Sequence, residues 1–128
     1  MNYIHDKTKK WIEKAIKDIN TAKLLYENEN YENSIFFSQQ AVEKFLKAFL
    51  VFHNKPFPKT HNIAKLIELC KEIDLEFDKL YEFEADKLYP IGIDVRYPID
   101  IIVSEEEAKE AIEIAEKVKE FVLKKLNI

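Results

Sequence analysis

The 128-residue chain has one glycine, one cysteine, one tryptophan and a single arginine. One glycine cannot build a glycine-rich phosphate loop, a dinucleotide fingerprint or a Gly-x-Ser-x-Gly elbow. With only four prolines beside it, there is little material for hairpin turns. One cysteine excludes an internal disulfide; Cys70, inside IAKLIELCKEI, reads as a small buried apolar group. No His/Cys/Asp/Glu cluster has metal-ligand spacing, so neither a metal nor another cofactor is expected. No apolar run approaches a membrane span, since FLKAFLVF is short and broken by Lys47. MNYIHDKTKKW has no apolar leader core, and the expectation is a soluble, cytoplasmic protein. A net charge of −4 and a pI near 5.5 argue against sequence-blind coating of nucleic acid. They leave room for a small local basic site.

Charged residues make up 34% and apolar residues 47%, with Glu, Lys, Leu, Ile and Ala abundant. That composition points to helices, and the length to one domain over residues 1–128. Trp11, Ala15, Ile19, Ala22 and Tyr26 recur in steps of three and four, which predicts a helix over 7–28. ENENYEN stops it. A second helix is predicted over 31–52. Its apolar surface, from Ile35 to Leu50, is wide enough to need more than one neighbour or a second subunit. HNKPFPKT ends it. Thr60 is the predicted cap of a third helix that buries Ile63, Leu66, Ile67 and Cys70. A shorter helix is predicted over 76–88. YPIGIDVRYPIDIIV then reads as an ordered apolar loop, long enough to suggest a function. Ser104 and Glu107 form a capping box for the last helix, whose stripe runs from Ala108 to Leu126. The expected fold is all-α: an up-and-down bundle of four main helices plus one short helix.

Gln40, Glu43, Lys44 and Lys47 lie at i, i+3, i+4 and i+7, so they share one face of the second helix. That face is either a solvated strip with a weak Glu43–Lys47 pair or a polar strip facing a ligand. His61 opens the third helix, where it serves either solvent or chemistry. His5 is expected in a frayed N-terminus, and His53 at a helix end whose dipole suits its charged form. Arg96 offers a planar fork for carboxylate or phosphate, next to Tyr97. It either pins its loop to an acid such as Asp94, Asp100 or Glu43, or it binds phosphate.

FFSQQAVEKFLKAFL, PFPKTHNIAKLIELC, DVRYP and the final Ala-rich helix together resemble the HEPN domain family (higher eukaryotes and prokaryotes nucleotide-binding). The resemblance runs over nearly the whole chain. It implies a helical bundle, a homodimer, and pairing with a separate minimal nucleotidyltransferase in toxin–antitoxin-like systems. It also implies, for some members, metal-independent RNA cleavage through an Arg, four to six residues, then His. Here no histidine follows Arg96. The expectation is therefore a non-catalytic homodimeric module that binds nucleotide, RNA phosphate or a nucleotidyltransferase partner. Its groove would be lined by Gln40, Glu43, Lys44, Lys47, His61, Arg96 and Tyr97. The alternative is a metal-independent endoribonuclease toxin with a non-standard active site.

Overall fold

The structure, a computed structural model, describes residues 5–88 and 103–128. Its described residues form an all-α bundle. The order is α1 (Asp6–Glu27), α2 (Tyr31–Phe52), α3 (Ile63–Lys71), a short α4 (Lys79–Glu82) and α5 (Glu105–Lys125). Two 3-10 turns, Leu75–Asp78 and Ala85–Lys87, flank α4. Among the described residues, no helix is long and apolar enough to cross a membrane.

The capping chemistry fixes most ends. His5 is not frayed: its ring accepts from Thr8 N and caps α1. Ser104 and Glu107 make the full capping box on α5. At the end of α2, Asn54 turns left-handed (φ 54°), and Lys55 N donates to Leu50 O at 2.9 Å. That closes the helix in the manner of a left-handed C-terminal cap. The cap of α3 is Asn62, whose side chain accepts from Lys65 N. Thr60, the expected cap, instead accepts from Asn62 N and shapes the turn before it. Asparagine at the boundary reaches the third amide of the helix, which leaves the threonine too early in the chain to do so. The helix expected over 76–88 is broken, because Glu84 takes a left-handed conformation (φ 62°) that no continuous helix admits.

α2 is the central element, packed against α1, α3 and α5. Its residues Ala41, Val42, Phe45, Leu46, Ala48 and Leu50 are inaccessible to solvent. Ser34 Oγ donates to Ala22 O at 2.7 Å and ties α1 to α2. Phe49 meets Phe77 at 4.3 Å, and Phe77 meets Phe121 at 5.0 Å. This aromatic chain joins α2, the first 3-10 turn and α5. Cys70 lies fully buried between α3 and α2, and burial pushes its thiol pKa up.

Lys125 staples the end of α5 to the turn before α4. Its ammonium bonds Asp74 at 2.8 Å and also reaches Glu76. The lysine's hydrogen bond holds Asp74 below the usual carboxylate range, and Asp74 in turn raises the lysine. A depressed carboxylate contributes stability above its unfolded pKa, near 4, and loses it as pH falls through the folded value. A raised lysine contributes below its unfolded value, near 10.4, and loses it above the folded value. Lys125→Met is therefore expected to lower the urea midpoint between about pH 4 and pH 10. The loss is below about 1 kcal/mol, given the partial exposure. It should vanish in stronger acid; a loss that persists there would assign the effect to the lysine stem's packing.

Candidate functional site

The site is assembled where α2, the N-terminus of α3 and the first half of α1 meet. Glu43 is its anchor. The carboxylate is almost completely buried, and His61 Nδ1 lies 2.8 Å from its Oε1. A carboxylate can only accept, so Nδ1 carries the proton and donates. That leaves Nε2 without a partner among the described residues. The ring itself is exposed, at 58% of its side-chain surface. The PFPKT turn and the Asn62 cap deliver it there.

Lys47 sits one turn beyond Glu43 and is only 9% exposed. Its ammonium is 3.9 Å from Glu43 Oε2, beyond hydrogen-bond distance. It lies 5.8 Å from the centroids of both Trp11 and Phe57, whose rings meet edge-on at 6.4 Å. Among the described residues it makes no hydrogen bond. An ammonium carries three donors; with the side chain 11% exposed they keep only limited access to water, which is unfavourable without a hydrogen-bond partner. The ring faces offset part of that through cation–π attraction. What the position lacks is a hydrogen-bond acceptor, since Glu43 meets the ammonium only at ion-pair distance.

The expected strip on α2 thus divides. Glu43 and Lys47 are buried, which overturns the solvated-strip reading. Lys44 turns toward α1 and pairs with Asp18 at 2.5 Å, where it serves the α1–α2 contact. Gln40 is half-buried beside them. Arg96 and Tyr97 lie outside the described residues. The charged partners of Glu43 among the described residues are His61 and Lys47. Three contributors were not singled out from the sequence: Asp18, Trp11 and Phe57. Asp18 carried a signal, an acid set within the Ala15–Ile19–Ala22 stripe. Trp11 carried another as the sole tryptophan. Phe57 had none beyond its two flanking prolines. His53 also differs from expectation. Burial against Phe49 lowers its pKa, so the charged form suited to the helix end is disfavoured.

The pattern of the HEPN domain matches residues 8–126. The chain belongs to the HEPN family. The crystal structure of an archaeal HEPN homologue superposes with a TM-score of 0.65 at 25% identity, covering 93% of this chain and 97% of that one. No curated protein matches the sequence. The bundle of this HEPN domain is therefore that of its family. The Glu43–His61–Lys47 constellation sits on the two segments that carried the resemblance, QQAVEKFLKAFL and KTHNIAKL. Among the described residues, no three His, Cys, Asp or Glu side chains are grouped to hold a metal.

Proposed function

We propose that this HEPN domain is a non-catalytic, homodimeric module that binds a phosphate-bearing ligand, a nucleotide or an RNA phosphate, at Lys47 and His61. The observation that carries this is the Lys47 ammonium: nearly buried, lined by two aromatic rings and free of hydrogen bonds among the described residues. A phosphate oxygen would take its donors, and His61, when its ring carries both protons, would add an Nε2–H donor. Glu43 acts by holding His61 and by balancing the lysine. Gln40, Arg96 and Tyr97 belong to the same reading, the arginine as a two-point phosphate ligand and the tyrosine as a stacking ring. Phe36 and Phe37 support the dimer. They pack edge-on at 5.3 Å and stay half-buried on α2. Where a separate nucleotidyltransferase is the partner, it would present its nucleotide to this groove.

A second reading is favoured by one specific feature. A carboxylate on Nδ1 with Nε2 free is the geometry of a general base. In that reading His61 takes a proton from a 2′-hydroxyl during metal-independent RNA cleavage. One gel separates the two. Mixed RNA is incubated without metal with the protein, with Arg96→Ala and with His61→Asn. The binding reading expects retained, intact RNA, and a solution mass about twice the 15.2 kDa of the chain. Cleavage lost in both variants would replace it with the ribonuclease reading. A monomer would remove the dimer.

A further inference from the structure

We infer that α1 carries a track for single-stranded polynucleotide, formed by Lys7, Lys10 and Lys14 around the Trp11 indole. This rests on the reading of Lys47 and His61 as a phosphate site, and extends it.

Residues 7–17 hold five lysines against one glutamate, in a chain whose net charge is −4. Lys7, Lys10 and Lys14 fall at i, i+3 and i+7, on one face of the helix. With Trp11 and Val51 they line a groove of about 410 Å3. All three are exposed, and among the described residues none has an acidic partner. Elsewhere in the bundle, lysines such as Lys23, Lys55, Lys71 and Lys125 do find carboxylates. The unpaired set therefore gathers positive potential in one place.

The groove is not merely basic. Its floor is an indole and a valine, an apolar platform on which a base can stack. The same indole is 5.8 Å from the Lys47 ammonium. A ligand phosphate on Lys47 thus places its neighbouring nucleotide against Trp11. The lysines extend over about 10 Å of helix, at 1.5 Å per residue. One phosphate cannot reach all of them, whereas a strand with repeating phosphates can. An acidic peptide would pair the lysines but leave the stacking platform unused.

Trp11 is the sole tryptophan, so its fluorescence reports the groove directly. The test titrates UMP, a twelve-nucleotide oligo(U) and a twelve-nucleotide oligo(dT) into wild type and into Lys10→Glu/Lys14→Glu. Melting curves of both proteins check that the exposed substitutions leave the fold intact. The strand is expected to bind at least tenfold more tightly than UMP, quenching the indole. The double variant should lose that advantage while keeping the UMP affinity. Its salt dependence should flatten by about 1.4 in log–log slope, roughly 0.7 for each phosphate that is no longer neutralised. A preference between the two oligomers names RNA or DNA as the source. Oligomers that bind no better than UMP, or an inert double variant, would overturn the track and leave the Lys47 site standing. Equal competition by polyglutamate would reduce it to a plain cationic surface. If UMP and the oligomers all fail to bind wild type, the Lys47 reading fails and the track with it.

Discussion

Lys47→Met is expected to leave the bundle folded and to weaken nucleotide binding by about 10- to 100-fold. Methionine keeps the length and the apolar packing on Trp11 and Phe57 but removes the charge. A hydrogen bond to a charged group is worth about 1.5–3 kcal/mol, which corresponds to that range in affinity. The structural loss is smaller, because the Glu43 ion pair spans 3.9 Å and involves no hydrogen bond. Glu43 keeps His61 at 2.8 Å in the variant. Calorimetric titration with ADP measures the first quantity and thermal melting the second. A variant that binds as wild type does, or one that loses binding only because it unfolds, would show that Lys47 serves packing alone.

Phe49→Ala is expected to cost about 3–5 kcal/mol, a large part of the roughly 5–15 kcal/mol that holds a domain of this size together. Phe49 is 2% exposed and sits 4.3 Å from the Phe77 ring. Removing it empties the junction of α2, the first 3-10 turn and α5. The bundle has no disulfide to limit the damage, since Cys70 is the only cysteine. Urea unfolding gives the value directly. A loss under about 1 kcal/mol would mean that the junction collapses to refill the space, and that the aromatic chain does not hold α5.

Much of the bundle could be read from the residues, because its long helices obey one rule. α1, α2 and α5 bury stripes of period 3.6, and their observed ends fall within about a residue of the expected ones. α5 was marked by the Ser104–Glu107 box, a local signal that tertiary packing does not override. The region after α3 was less legible. Glu84 adopts a left-handed conformation that glutamate propensity does not announce. Thr60 and Asn62 are both plausible caps by composition, and only the chain's path out of PFPKT decides between them.

The site was half legible for the same kind of reason. Glu43, Lys47 and His61 each stand out, but Glu43 and His61 are 18 positions apart on different elements. Helical spacing says which residues share a face, not what that face meets. So Lys44, grouped with Glu43 by spacing, goes to Asp18 instead, while Trp11, grouped with the core by its stripe, borders the ammonium. Burial changes the meaning of the Glu43–Lys47 pair most. On a solvated helix such a pair contributes a few tenths of a kcal/mol. Here it positions an ammonium that has an ion-pair partner but no hydrogen bond among the described residues.

The most direct test is to map amide and indole NMR shifts as a mononucleotide is added to the wild-type protein. Shifts should concentrate at the Trp11 indole, Glu43–Lys47, Phe57 and Thr60–Asn62, where α1, α2 and α3 meet. Shifts confined to another part of the bundle, such as the acidic start of α5, or none at saturating nucleotide, would contradict a phosphate site at Lys47.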